Sequence, residues 1–136
     1  MITAVDSSVL LDVLTADPEF GHRLRAAVRA AIAEGSLLAC EVVVAEVTAF
    51  FPVAEDASTA LRSMGVDFDP LTERAAFGAG RAWRAYRERG GRRNRLIADF
   101  LVGSHARLQA ERLLTRDRGF YRTYFADVAI VDPSRA

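Results

Sequence analysis

The 136-residue sequence predicts a single α/β domain built on a central parallel β-sheet. Short apolar runs alternate with segments of helical periodicity, which is the pattern of strand–helix–strand units. Each run is apolar throughout instead of alternating with polar residues, as is typical of strands covered on both faces. No linker, internal repeat or low-complexity segment divides the chain. We therefore expect a parallel sheet of about five strands with helices on both faces.

Five apolar runs predict the strands, because each is too short for a helix and is bounded by turn or capping residues. The third is expected at an edge of the sheet, and a short aromatic segment, Phe120–Phe125, separates the last two. The predicted strands are Ile2–Val5, Leu37–Cys40, Val66–Pro70, Leu113–Thr115 and Val128–Val131.

The segments between the strands carry start and stop signals for helices. Asp6, Ser7 and Ser8 offer capping side chains, and Pro18 is well placed at a helix start. Gly35 and Gly65 follow helical patterns at the position where glycine commonly ends a helix. The predicted helices are Val9–Leu14, Glu19–Ala33, Val42–Phe51, Val53–Ser63, Thr72–Arg89 and Leu96–Leu108.

The composition is that of a globular protein, with 51% apolar and 26% charged residues. No apolar run approaches the roughly 20 residues that cross a bilayer. The N-terminus lacks the basic region of a signal peptide, and Cys40 stands alone, which excludes an intrachain disulfide. These features predict a cytoplasmic protein without a membrane partner.

A formal net charge of zero conceals a division of the chain into an acidic and a basic half. Residues 1–70 carry a net charge of −7, and residues 71–136 carry +7. Seven arginines and one acid, Glu88, lie between Arg81 and Arg95. Such a cluster predicts a phosphate-binding surface. The alternative is a solvated helix face followed by a basic loop.

All eighteen basic residues are arginine, and the absence of lysine excludes several chemistries. A P-loop requires its lysine and Schiff-base catalysis requires an amine. A dinucleotide site is disfavoured because Gly78 and Gly80 lie inside a predicted helix. A phosphohydrolase of the haloacid-dehalogenase type requires a second aspartate two residues after Asp6, where this chain has Ser8.

Four carboxylates are predicted to converge. Asp6 and Asp117 follow strands whose carboxyl ends share the edge where open parallel sheets bind ligands. Glu46 shares a predicted helix face with apolar residues such as Phe50, and Asp99 enters a largely apolar segment. Taken singly, each acid has another explanation. Asp6 could cap a helix, and Asp117 could be a turn residue. Glu46 could reach solvent or pair with an arginine, and Asp99 could simply favour a helix start. Together they would repel without a cation, and oxygen ligands without histidine or cysteine suit Mg²⁺ or Mn²⁺.

In these segments the chain resembles the PIN-domain ribonucleases, and among them the VapC-type toxins of bacterial toxin–antitoxin pairs. The matching motifs are VDSSVLLD from Val5, AEV from Ala45, RLIADFLVGSHA from Arg95 and LLTRDRGFY from Leu113. Together with residues 65–68 and 129–131 they cover nearly the whole chain. The resemblance implies a single PIN domain over residues 1–136, and its four site acids fall on Asp6, Glu46, Asp99 and Asp117.

For the chemistry we assign Asp6 and Asp117 as principal ligands of one or two Mg²⁺ or Mn²⁺ ions. Asp99 is assigned as a direct or water-mediated ligand, and Glu46 as a residue acting through water. Thr115 matches a family hydroxyl position near the metal, and Ser7 is a second candidate. The resemblance implies RNA cleavage that leaves a 5′-phosphate and a 3′-hydroxyl.

Arginines are expected to supply the field that attracts RNA to this acidic site. Trp83, Tyr86 and Tyr121 could stack bases, although aromatic residues at helical spacing are usually core. His22 and His105 are predicted to be structural or exposed, and Asp12 to form a local hydrogen bond. The predicted RNA-binding residues are Arg89, Arg92, Arg93, Arg95, Arg116 and Arg118.

The sequence hypothesis is therefore a metal-dependent endoribonuclease acting as a toxin. The resemblance implies a homodimer inhibited by a VapB-type antitoxin, which lies across the active-site groove. The alternative is a noncatalytic PIN-like module that binds RNA or a protein.

Overall fold

Five short strands pair in parallel into one sheet in the computed structural model, which describes residues 1–92 and 97–134. Their order across the sheet is β3-β2-β1-β4-β5, so the third strand lies at an edge, as predicted. The helices flank this sheet, and the predicted α/β class is confirmed. The strands are β1 (Ile2–Val5), β2 (Ser36–Ala39), β3 (Val66–Phe68), β4 (Arg112–Leu114) and β5 (Ala129–Val131).

The helices agree with the predicted segments to within a few residues, and the aromatic segment before β5 is helical as well. The one larger difference is the end of the third helix, which stops at Thr48 and not at Phe51. Pro52 disfavours helical backbone at the residue before it, and the N–H groups of Phe50 and Phe51 bond to carbonyls three residues back. The helices are α1 (Ser7–Leu14), α2 (Gly21–Glu34), α3 (Glu41–Thr48), α4 (Ala54–Met64), α5 (Glu73–Glu88), α6 (Ile97–Gln109) and α7 (Arg118–Tyr124).

The strand order reverses at β1. From β1 the chain moves outward through β2 to β3, and it then crosses back to place β4 on the other side of β1. Open α/β sheets bind ligands outside the carboxyl ends of the strands that border such a reversal. The residues that follow β1 and β4 are therefore at the favoured position for a site.

Aromatic rings fix α6 against its neighbours. Phe100 on α6 is fully buried and packs against Tyr86 of α5 and Phe120 of α7, with ring centroids 5.4 and 5.3 Å away. Because Phe100 directly follows Asp99, the packing of Phe100 also anchors one of the four candidate acids.

Cys40 is buried as predicted, and burial raises the pKa of its thiol.

Gly103 on α6 provides a sharp test of this packing. A Cβ atom added there would lie 2.5 Å from the ring of Phe125, which is fully buried. We expect Gly103→Ala to lower the free energy of unfolding by about 1–3 kcal/mol, because overpacking outweighs the gain of about 1 kcal/mol in helix propensity. Denaturant unfolding measures the effect.

The matched control is Gly80→Ala on α5, where a Cβ atom would meet nothing within 4 Å. This substitution should leave the free energy of unfolding unchanged or raise it by up to about 1 kcal/mol. An equal effect of the two substitutions would contradict the packing described for α6.

None of the helices in the described ranges is both long enough and apolar enough to span a membrane.

Candidate active site

Asp6 and Thr115 are the first residues after β1 and β4, and they are joined by a hydrogen bond. The fully buried Thr115 donates its Oγ1 hydroxyl to Asp6 Oδ2 over 2.8 Å. Thr115 Oγ1 in turn accepts a hydrogen bond from the backbone N–H of Asp117 at 3.0 Å. One buried hydroxyl, that of Thr115, thus connects two of the four acids across the strand reversal.

Asp6 is more than a helix-capping residue. It occupies the N-cap position of α1, but its side chain makes no capping hydrogen bond. The pKa of Asp6 is raised to about 6, mainly by burial; the hydrogen bond from Thr115 acts in the opposite direction, and the nearby carboxylates of Glu46 and Asp99 contribute to the rise. A carboxyl group with so perturbed a pKa at a strand reversal is a functional-site candidate.

Glu46 lies near Asp6 for a different reason from the one predicted. The buried face of α3 is formed by Val43 and Val47, whereas Phe50 lies beyond the helix and is 64% exposed. Glu46 is itself exposed, so the prediction that it sits on an apolar stripe is wrong. Ser7 Oγ donates a 3.1 Å hydrogen bond to Glu46 Oε1 and thereby holds α3 to the start of α1.

Asp99 and Asp117 complete the group from the basic half of the chain. Asp99 lies half-buried in the first turn of α6 and raises the pKa of Asp6. Asp117 is half-buried at the N-cap position of α7, and its backbone is tied to Thr115. We use the name acidic edge for these four acids, Asp6, Glu46, Asp99 and Asp117, at the carboxyl-terminal end of the sheet.

The donor chemistry of the acidic edge suits a hard divalent cation. Its side chains offer only oxygen atoms, the ligands that Mg²⁺ and Mn²⁺ prefer. Within residues 1–92 and 97–134, no three acidic, histidine or cysteine side chains are close enough to form a metal-binding group as they stand. Since like charges repel, a cation would have to draw these carboxylates together and would offset the burial of Asp6.

Two of the predicted RNA-binding arginines line a cavity between α5 and α7. Arg89 and Arg92 are exposed and border a space of about 430 Å³, together with Gly119 and Thr123 of the segment that follows Asp117. Glu88, the single acid between Arg81 and Arg95, is paired with Arg84 at 2.9 Å.

The remaining predicted arginines differ in their placement. Arg118 is half-buried at the first position of α7. Arg116 forms an ion pair with Asp12 and lies over the ring of Phe20. The predictions for Arg93 and Arg95 fall outside the described residues.

Sequence reasoning missed the Asp12–Arg116 pair, and it expected only a local hydrogen bond for Asp12. A usable signal was present, because alternate side chains of an extended segment point to opposite sides. An arginine between two residues predicted to face the site, Thr115 and Asp117, is thus expected to point away from it.

The aromatic and histidine side chains are mainly structural. Tyr86 and Tyr121 are buried in the core, which leaves only Trp83, half-buried beneath Arg87, among the three candidates for base stacking with much exposed surface. His105 is buried and lies 2.9 Å from the carboxylate of Asp69, and His22 is exposed.

The sheet order and the acidic edge define an α/β protein with a candidate ligand site at the point of strand reversal. A family model described as the PIN domain matches residues 3–126, and the chain belongs to that family. No curated protein sequence matches the chain.

Solved structures share the fold over almost their whole length. VapBC-1 from nontypeable Haemophilus influenzae is 16% identical, with a TM-score of 0.72 and coverage of 99% of this chain and 100% of that chain. DNA-bound VapBC from Salmonella typhimurium is 14% identical, with a TM-score of 0.72 and 98% coverage of both chains. VapBC2 from Rickettsia felis, bound to a promoter DNA fragment, is 12% identical, with a TM-score of 0.69 and coverage of 96% and 98%.

Proposed function

We propose that this protein is a metal-dependent endoribonuclease that acts as the toxin of a toxin–antitoxin pair. The observation that carries the proposal is the desolvated Asp6 at the strand reversal, with a pKa of about 6, between Thr115 and the carboxylates of Glu46 and Asp99. Membership of the PIN family and the shared fold with proteins named VapBC support it.

The side chains divide the chemistry between them. One or two Mg²⁺ or Mn²⁺ ions, when bound, supply a Lewis acid that activates water and offsets the charge of the phosphate. Asp6 and Asp117 are the proposed principal ligands, Asp99 a direct or water-mediated ligand, and Glu46 a residue acting through water. Thr115 orients the Asp6 carboxylate and Ser7 orients that of Glu46. The resemblance to PIN-domain ribonucleases implies products with a 5′-phosphate and a 3′-hydroxyl.

RNA is proposed to approach over the arginine-lined cavity. Arg89 and Arg92 offer exposed positive charge there, and the cavity is also lined by Gly119, which lies two residues after Asp117 in the chain. Phosphate contacts position a nucleic acid without reading its sequence. Arg118 adjoins this surface in the chain, and Arg93 and Arg95 remain proposed contacts from the sequence pattern alone.

Replacement of Arg92 by alanine tests this RNA path. We expect weaker binding of a single-stranded RNA oligonucleotide, with the dependence of log affinity on log salt reduced by about 0.7 for one lost phosphate contact. Fluorescence anisotropy in EDTA measures binding without cleavage. The control is Arg25→Ala, which removes an exposed arginine from α2 in the acidic half. Equal salt slopes for both variants and the unaltered protein would exclude the cavity from RNA binding.

The catalytic proposal is tested with total RNA incubated with Mg²⁺, Mn²⁺ or EDTA. We expect cleavage in either metal, none in EDTA, and loss of cleavage in Asp99→Asn and Asp117→Asn. Sequencing of the new RNA ends identifies the target and the end chemistry. The alternative, a noncatalytic PIN-like module that binds RNA or a protein, predicts no new RNA ends in either metal, and that result would overturn the nuclease proposal.

The antitoxin partner, the homodimer and the cytoplasmic location are also proposals. The structural similarity to proteins named VapBC supports the first of them. Coexpression with the product of the neighbouring gene should yield a complex in which RNA cleavage is suppressed.

The homodimer is tested by light scattering after size exclusion, which should give twice the 14.9 kDa mass of the chain for the isolated protein.

A further inference from the structure

Arg116 stands between two residues of the acidic edge, yet its side chain binds elsewhere. Its Nη1 atom donates to Asp12 Oδ2, and its guanidinium carbon lies 4.2 Å from the centroid of the Phe20 ring. The two charged side chains are only 31% and 18% exposed. Arg116 is therefore held on two sides, by a carboxylate and by an aromatic face.

The residues that hold Arg116 are themselves fixed. Asp12 lies on α1, the helix that begins directly after Asp6. Phe20 immediately precedes α2, and its backbone N–H donates to Asp17 Oδ2 at 2.7 Å. The N–H of Asp17 in turn bonds to the carbonyl of Asp12 at 2.9 Å. These hydrogen bonds fix the turn between α1 and α2, and with it the positions of Asp12 and Phe20 around the Arg116 guanidinium.

The position of Arg116 in the chain transmits this restraint to the acidic edge. On one side of it, Thr115 donates to Asp6; on the other, the N–H of Asp117 donates back to Thr115. A shift of the backbone at residue 116 would disturb both hydrogen bonds. Groups that orient metal ligands in this way commonly change metal affinity or activity by 10- to 100-fold when they are lost.

We propose that the Asp12–Arg116 ion pair, with Phe20, is a positioning device for Asp6 and Asp117, and that Arg116 does not contact RNA. This inference rests on the proposed function, and it replaces the RNA-binding role expected for Arg116 from its sequence. Binding of an RNA phosphate by Arg116 would require the guanidinium to leave a partly buried carboxylate, whereas Arg89 and Arg92 are already exposed.

The test compares two variants of the pair, Arg116→Ala and Asp12→Asn, with Arg92→Ala. Isothermal titration of the metal-free protein with Mn²⁺ and RNA anisotropy in EDTA are the readouts. We expect both pair variants to weaken Mn²⁺ affinity by about 10- to 100-fold and to leave RNA affinity within about twofold. Arg92→Ala should do the reverse. Loss of RNA affinity in Arg116→Ala with unchanged Mn²⁺ affinity would overturn the inference.

A matched control separates positioning from general destabilisation. Val28→Ala truncates a buried side chain on α2 and should lower the unfolding midpoint through a cavity. Its Mn²⁺ affinity should equal that of the unaltered protein at a temperature where every variant is folded. If Val28→Ala lost as much Mn²⁺ affinity as Arg116→Ala and Asp12→Asn, the effect of the ion pair would be explained by global stability alone, and the inference would be overturned.

A third readout keeps this inference distinct from the nuclease proposal. Hydrogen exchange at the amides of residues 115–117 should be faster in both pair variants, whether or not the protein cleaves RNA. A protein that binds Mn²⁺ without cleaving RNA would refute the nuclease proposal and leave the positioning test intact. Unchanged exchange at these amides in both variants would refute the positioning role alone.

Discussion

Asp6→Asn is expected to lower RNA cleavage in Mg²⁺ or Mn²⁺ by more than about 100-fold. Loss of a partner of a metal ligand already costs 10- to 100-fold, and asparagine removes the charge of the proposed ligand itself. The substitution retains the shape of the side chain and an oxygen that can accept the Thr115 hydrogen bond. Initial rates on a defined RNA substrate, measured at saturating metal, give the effect.

The control is Asp127→Asn, which removes a carboxylate from the opposite end of the sheet. Asp127 precedes β5 and pairs with Arg107 in the last turn of α6, with 63% of its side chain exposed. Exposed ion pairs contribute little to stability, so this variant should cleave RNA at the rate of the unaltered protein. Equal rates in Asp6→Asn and Asp127→Asn would remove Asp6 from the active site.

The same Asp6→Asn substitution is expected to stabilise the metal-free protein at pH 7 by up to about 3 kcal/mol. Burial raises the pKa of Asp6 from its ordinary value of 3.8 to about 6, so the folded state binds a proton more tightly than the unfolded chain does. As pH rises from about 4 to about 6, the unfolded chain loses this proton first and the free energy of unfolding falls. At about 1.4 kcal/mol per tenfold change in proton affinity, the total is about 3 kcal/mol.

Denaturant unfolding of both proteins in EDTA between pH 4 and pH 7 measures this difference. The two free energies of unfolding should be similar near pH 4 and should separate as the pH rises, since asparagine does not ionise. Addition of Mn²⁺ at pH 7 should then stabilise the unaltered protein more than Asp6→Asn, because stabilisation by a ligand of the folded state increases with the logarithm of its concentration relative to its Kd. A pH dependence identical in the two proteins would contradict the burial of this carboxylate.

The strands and most helix bounds could be predicted because their signals are local. Ile2–Val5 is a strand in both the prediction and the structure, since a continuous apolar run of four residues followed by capping side chains leaves few alternatives. Gly65 ends α4 in the left-handed conformation, with φ of 87°, as its position after a helical pattern indicated. The edge position of the third strand was also predicted, whereas the order of the other strands and the reversal at β1 are findings of the structure.

The site could be predicted only in part, because its decisive contacts join distant parts of the sequence. Glu46 was placed correctly beside Asp6, but the apolar stripe used to argue for it included Phe50, which lies outside α3. The contact that places Glu46 there comes from Ser7, 39 residues earlier. Arg116 binds an acid 104 residues away. Periodicity identifies the faces of one helix, and it carries no information about which distant side chain will meet them.

The pairing of β1 with β4 has a consequence for synthesis on the ribosome. Chains emerge with the N-terminus first, and Asp6 is made 109 residues before the Thr115 hydroxyl that orients it. An unfinished chain that lacks β4 has an open sheet edge beside β1 and neither Thr115 nor Asp117. The proposed site is therefore incomplete while most of the chain is still being translated, and the proposed cleavage of RNA requires that β4 and Asp117 have been added.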